Sequence, residues 1–267
     1  MIDTTVEGVI VVGIGLAAGI VGGLAGIGGS LIMLPALALL LGYDDPKHSA
    51  QHVFVAAAMM VNVLVAGPSV RQHAKKGAIS WALVRPMLIA ASAAIVLGVL
   101  LSSQIDGKIL KQALAVFIAV HSGYNLLVAA RGPVETDTFE HVPPGWMLTL
   151  IGTVMGLIGG VLGIAGGAVA VPVLQLVARV PIKRAIAASA TVILVTASVG
   201  SIVKLWTLPG LGRSVSEALV LAALLGPPAI IGATIGAKLV HTLPTRWIRG
   251  IVALVLLAAS CRMGGLI

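Results

Sequence analysis

The chain is a succession of apolar runs, at 7–42, 49–66, 80–102, 109–130, 145–178, 185–206, 215–240 and 247–266, and that succession limits it to a membrane. Several runs exceed the roughly 18–20 residues that cross a hydrocarbon core. Inside lipid every backbone N–H and C=O must find its partner within the protein, which leaves helices and closed barrels. The runs are rich in Ala, Leu, Gly and Val and lack the alternation of barrel strands. They predict an all-α integral membrane protein, a multi-pass one. Charged residues make up only 10% of the 267, whereas a soluble domain carries about a quarter to solvate its surface.

The apolar runs repeat. Residues 19–37 read GIVGGLAGIGGSLIMLPAL and residues 156–174 read GLIGGVLGIAGGAVAVPVL. At a constant offset of 137, Gly19, Gly22, Gly23, Gly26, Ile27, Gly29, Pro35 and Leu37 fall on Gly156, Gly159, Gly160, Gly163, Ile164, Gly166, Pro172 and Leu174. The same offset puts Ala50 on Ala187 and Val55 on Val192; Gly98, Leu101 and Ser122 meet Gly236, Leu239 and Ser260 at 138. Self-similarity at a fixed period marks a duplicated unit. The polar stretch from Arg131 to Pro144, with Glu135, Asp137, Glu140 and the Pro143-Pro144 pair, reads as the linker. The expected organisation is an N-terminal repeat at 1–130, a linker at 131–144 and a C-terminal repeat at 145–267.

Run 7–42 has 36 residues, about 54 Å as a single helix and too long for one crossing. Gly26-Ile27-Gly28-Gly29 and Gly163-Ile164-Ala165-Gly166-Gly167 divide the two long runs into two helices or two half-helices each. Each repeat is therefore a Gly-broken helical hairpin plus three transmembrane helices. Eleven Lys and Arg lie at Arg131 or in the loops around 67–85, 179–184 and 238–249. The other six are Lys47, Lys108, Lys111, Lys204, Arg213 and Arg262. The excess assigns the first group, and the linker with it, to the cytoplasm and both termini to the other side. An odd number of crossings per half then makes the repeats inverted, and inverted repeats with broken helices characterise secondary transporters. Asp3 and Glu7, with no basic residue, precede the first run, so no cleaved signal peptide is expected. Cys261 is the single cysteine, which excludes an intrachain disulfide.

Helices that begin at the breaks, at Ser30–Leu41 and Ala168–Ala178, would present free N–H groups and a positive dipole end inside the membrane, a setting for an anion. In an inverted repeat the two breaks are expected to approach each other near the midplane. Backbone donors would come from Gly26, Gly28, Gly29 and Ser30 on one side and Gly163, Ala165, Gly166 and Gly167 on the other. Gly19, Gly22 and Gly23 fit close helix packing instead. Gln51 and His52 open one following run and Ser189 opens the other at the repeat position of His52; all three are candidate side-chain donors. His52 is also a candidate carrier of a coupling proton. The charges at run ends, Arg85, Lys204, Lys238 and Arg262, are expected to snorkel to the headgroups. Glu7 and Glu217 lie only at the starts of their runs and no carboxylate lies deeper in one, which disfavours cation transport. No acid pair, metal-ligand cluster or triad is present, so neither catalysis nor a cofactor or metal is expected. The basic residues sit in loops as orientation signals, not as a nucleic-acid patch.

The twin motifs GIGGSLIMLP and GIAGGAVAVP, in halves of this length, resemble those of the TauE/SafE sulfite-exporter family over nearly the whole chain. The resemblance implies a transporter exporting sulfite, sulfoacetate or a related organosulfur anion across the bacterial inner membrane. Ser30 stands where that family has a third glycine, Gln51-His52 where it has Thr-Ser, and Ala188 precedes Ser189. A passive anion channel is the alternative, with a membrane-embedded enzyme or assembly factor behind it. The sequence leaves the oligomeric state open.

Overall fold

The computed structural model describes residues 5–25, 28–131, 142–164, 166–239 and 245–265. Among them the regular structure is helical throughout. In the first half it comprises α1 (Thr5–Ala25), α2 (Ser30–Leu40), α3 (Ala50–Lys75), α4 (Trp81–Ser102) and α5 (Gly107–Arg131). The second half has α6 (Gly145–Leu162), α7 (Gly167–Leu176), α8 (Ile182–Thr207), α9 (Val215–Leu239) and α10 (Thr245–Met263). Seven of these, α1, α3, α4, α5, α6, α8 and α9, are long and apolar enough to cross a membrane.

The broken runs resolve into one full-length helix and one half-helix each. α1 and α6 have 21 and 18 residues, but α2 and α7 only 11 and 10, about 16 Å at 1.5 Å per residue and half of a bilayer core. Gly163 ends α6 in the left-handed region (φ +74°), its N–H on the Gly159 carbonyl; Gly28, at φ +84°, turns the chain ahead of α2. Each half-helix contains a proline, Pro35 and Pro172. Pro172 has no N–H for the Ala168 carbonyl four residues back. His121 of α5 takes that backbone group instead, while the Asn125 amide sits 2.9 Å from the His121 Nε2. The run expected to stop at 66, before Gly67-Pro68, continues as helix to Lys75. One proline costs a single backbone bond there, which a transmembrane helix tolerates.

Packing pairs a helix of one half with a helix of the other: α1 with α9, α4 with α6, α3 with α8 and α5 with α10. Glycine makes the first two pairs close. Gly15, Gly19 and Gly23 lie on Leu225, Ala229 and Ala233 in ascending order, and Gly152, Gly156 and Gly160 on Met87, Ala91 and Ile95. Both pairs therefore run parallel. α3 and α8 run antiparallel, since His52 meets Lys204 and Met59 meets Gly200. Gly19 and Gly23 are packing residues, as the small-residue spacing suggests. Outward-facing Ile89, Leu97, Val116, Val120 and Ile202 are exposed, the surface a lipid solvent would cover.

The loops sort onto two faces. On the first face lie 41–49, 103–106 and 208–214, joined by Lys108 N–H to the Lys47 carbonyl (3.0 Å) and by Ser103 Oγ to Thr207 Oγ1 (3.0 Å). The turns at 76–80 and 177–181 lie at the opposite ends of α3 and α8, on the second face. Arg71, Lys75, Lys76, Arg179, Lys183 and Arg184 thus gather on the second face, and Lys47, Lys108, Lys111 and Arg213 on the first.

Candidate functional site

Lys204, in the last turn of α8, is 0% exposed. The expectation that it snorkels is therefore wrong. The first turn of α3 and the end of α4 close over it. Its ammonium lies 3.0 Å from His52 Nδ1 and donates to Ser102 Oγ (2.9 Å) and Ser103 Oγ (3.3 Å). The Ser102 hydroxyl donates in turn to the Val99 carbonyl (2.8 Å), so its lone pairs face the ammonium. The Ile105 backbone also hydrogen-bonds to the His52 ring. An ammonium can only donate, so Nδ1 meets Lys204 with its lone pair and the ring proton of the neutral imidazole is assigned to Nε2.

Every partner of this ammonium is neutral. Arg213 holds ion pairs to Asp44, Asp45 and Glu217, and among the described residues no carboxylate reaches Lys204. An unpaired charge out of water costs several kcal/mol after relaxation. The C-terminal ends of α4 and α8 offset part of that; an anion would offset the rest. The sequence held a signal for it. Ser201 and Thr207 flank Lys204 at three residues on either side, giving a polar stripe that faces the protein, and Ser102-Ser103 ends the run that packs there.

Gln51 is buried beside His52. Its Oε1 accepts from the Tyr43 hydroxyl (2.8 Å), and its Nε2 has no partner. Burial pushes the Tyr43 hydroxyl far up, so it stays a donor. Above them, at the first face, Arg213 bridges loop and helix. It bonds Asp44, Asp45 (3.0 Å) and the Ser49 hydroxyl (2.7 Å), with Glu217 at 3.7 Å. A cavity of about 590 Å³ opens beside it, lined by Asp44, Asp45, Lys47, Ser49, Leu211 and Arg213 among others.

The Ser49 hydroxyl and N–H donate to the Asp45 carboxylate, and with Arg213 they hold its pKa down at about 2. A carboxyl with a depressed pKa stabilises the fold fully above its ordinary value, about 4, and loses that contribution as pH falls through the folded value. The gap in thermal unfolding between the wild type and Asp45→Asn should therefore stay flat from neutrality to about pH 4. It should close only as pH approaches 2; a gap already gone at the ordinary carboxylate pKa would refute the assignment.

Each break folds back along the helix that precedes it. Gly163 packs on Val55, with room for no Cβ (2.5 Å to Cγ1), one turn along α3 from His52. The preceding Gly160 lies on Ile95 and Val99, close to the end of α4 at the first face. Gly166 caps α7 against Met155, and Gly167 is its buried first residue. The other break follows Gly23, which packs on Ala233 near the end of α9 at the second face. There Gly29 lies against Gly22 and Ala18, with buried Ser30 opening α2. Parallel pairing of α1 with α9 and of α4 with α6 makes α1 and α6 run in opposite directions, so the two breaks are approached from opposite faces. Gly26 and Ala165 lie outside the described residues. Gln51, His52 and the Gly163–Gly167 break thus share the first-face side. Gly28–Ser30 and Ser189, in the second turn of α8 with its buried hydroxyl unpartnered, share the second.

A family model described as sulfite exporter TauE/SafE matches residues 11–263. The chain is 25% identical over 279 aligned positions to the probable membrane transporter protein MamO of Magnetospirillum gryphiswaldense, covering 93% of this chain but 43% of that protein. It thus spans less than half of that relative. The MamO of Paramagnetospirillum magneticum matches at the same identity and coverage. A probable membrane transporter protein of Methanocaldococcus jannaschii is 26% identical over 242 positions, covering 88% of this chain and 87% of that one. No solved structure matches.

Proposed function

Since the chain belongs to the sulfite exporter TauE/SafE family, we propose that it is a secondary transporter exporting a sulfite-type or small organosulfur anion across a bacterial inner membrane. The observation that carries this reading is Lys204, a buried ammonium with neutral partners only. An anionic oxygen accepts from that ammonium more strongly than a serine hydroxyl does. Hydroxyls of Ser102 and Ser103 and the imidazole of His52 orient the anion, and the first-turn N–H groups of α7 add positive potential from the break beside Val55.

Gly28–Ser30 and Ser189 form the corresponding station toward the second face. Among the described residues it has no buried cation, and Gly67 stands at the repeat position of Lys204. A cavity of about 570 Å³ opens there, lined by Gly67, Pro68, Arg71, Gln72 and Lys75, and its basic residues draw anions from the cytoplasm.

Export follows if the halves are inverted and exchange conformations. The antiparallel course of the repeat mates α3 and α8 supports inversion, and the eleven-to-six division of Lys and Arg orients the chain. Reporters fused at either terminus should be active outside the cytoplasm, and one inserted in the 131–144 linker active inside it. Termini on opposite faces would overturn the inverted arrangement.

Labelled sulfite in proteoliposomes should leave faster when unlabelled sulfite waits on the far side. A passive channel would not show that acceleration, and absence of any sulfite flux would overturn the substrate class.

A further inference from the structure

We propose that the Lys204 site takes up one proton with a dianion and none with a monoanion, and that Nδ1 of His52 is the atom that receives it. The inference rests on Lys204 as the anion's partner and adds what else must bind.

The hydrogen bond between Lys204 Nζ and His52 Nδ1, 3.0 Å long, requires one lone pair between two bases. With Lys204 held as the ammonium, which can only donate, that lone pair is Nδ1's and the resting pair carries one positive charge. Protonating Nδ1 in the empty site would set two cations about 3 Å apart out of water and break the bond between them. The other groups facing His52 do little to prevent this. Ser102 and Ser103 on α4 and Gln51 on its own helix are neutral, and the carboxylate that acts on it, Asp45, is committed to Ser49 and Arg213.

An arriving anion changes the count. Lys204 turns its N–H groups to the anion's oxygens and releases Nδ1. A monoanion then leaves the site neutral, and no proton is called for. A dianion leaves one negative charge uncompensated in the protein interior, a situation that titratable groups there resolve by changing protonation. The free Nδ1 lone pair lies within reach of that charge. A proton from water at the face of arrival binds it, forming an N–H bond that donates to the anion, while Nε2 keeps its own proton. On release the dianion departs, the proton returns to water, and Lys204 resumes its bond to Nδ1. Proton movement thus follows substrate charge, a rule that a sulfonate monoanion and sulfite would obey differently.

Titration calorimetry on the detergent-solubilised full chain, in two alkaline buffers of different ionisation enthalpy, counts protons per anion bound. Sulfite, a dianion under those conditions, should bring one proton, and methanesulfonate none. His52→Gln should bind sulfite without proton uptake and about tenfold or more weakly, the loss of at least about 1.4 kcal/mol. Sulfite binding to the wild type with no proton, or methanesulfonate binding with one, overturns the coupling and leaves the Lys204 site standing. Binding of neither anion by the wild type, or equal binding of both by Lys204→Met, overturns the site itself. The wild-type count decides the matter even if His52→Gln does not fold.

Discussion

Lys204→Met should give a protein that is more stable than the wild type and no longer moves sulfite. The two effects have one cause. Methionine fills the volume of the lysine stem without an ammonium, so the cost of holding a charge among neutral partners disappears. Replacing buried charged groups by apolar ones of like volume gains about 1–4 kcal/mol in favourable cases. Ser102, Ser103 and His52 each lose a donor, at about 1 kcal/mol apiece or less where another partner is near, so the net gain should fall at the lower end. Transport loses the only buried cation that the described residues of the membrane spans offer. A charge-assisted bond to an anion in that setting is worth about 1.5–3 kcal/mol, so flux at sub-saturating sulfite should fall by about tenfold to hundredfold or more. Thermal unfolding in detergent and efflux from proteoliposomes read the two sides. A variant that transports at the wild-type rate would remove Lys204 from the mechanism, and one that is less stable would mean the ammonium has a counter-ion in the resting protein.

The second large effect separates two glycines of one helix. A Cβ at Gly15 would come 2.5 Å from the Leu225 carbonyl oxygen, whereas one at Gly13 would meet nothing within 4 Å. Gly13→Ala should be neutral or add up to about 1 kcal/mol, the helix preference of Ala over Gly. Gly15→Ala should cost about 3 kcal/mol, since the obstacle is backbone and can yield only by parting α1 from α9. Gly156→Ala, 2.5 Å from the Ala91 carbonyl oxygen, should cost as much on the α4–α6 seam. Unfolding midpoints of the three variants test this together. Equal, small shifts would show that the glycine seams are not tight.

Much of this architecture was legible in the sequence because lipid allows so few solutions. Run length and the Gly26–Gly29 and Gly163–Gly167 clusters located the spans and the breaks, and the offset of 137 paired the halves. What packs beside each break was not legible. It depends on the register in which Gly15, Gly19 and Gly23 seat on α9, and no local pattern encodes the height at which a distant helix docks. Lys204 was misread for a related reason. A lysine near a helix end reaches water unless another element covers it, and the covering residues, His52 and Ser102, lie 152 and 102 positions away. His52 itself was picked out by type and position, while its partner came only from the fold.

The two parallel seams also bear on how such a chain is made. Synthesis delivers α1 and α4 to the membrane before α9 and α6 exist, so for that interval each glycine notch faces acyl chains. Lipid tails fill a notch poorly and carry no backbone to match it. In that interval α1 has its contact with α2 but not its glycine seam, and α1 and α4 stay free to shift until their mates arrive from the ribosome. Since α6 is the first helix of the second half and α9 nearly the last, α4 is secured early and α1 late. Of these ten helices, α1 is inserted ahead of the others and is among the last to be locked in place.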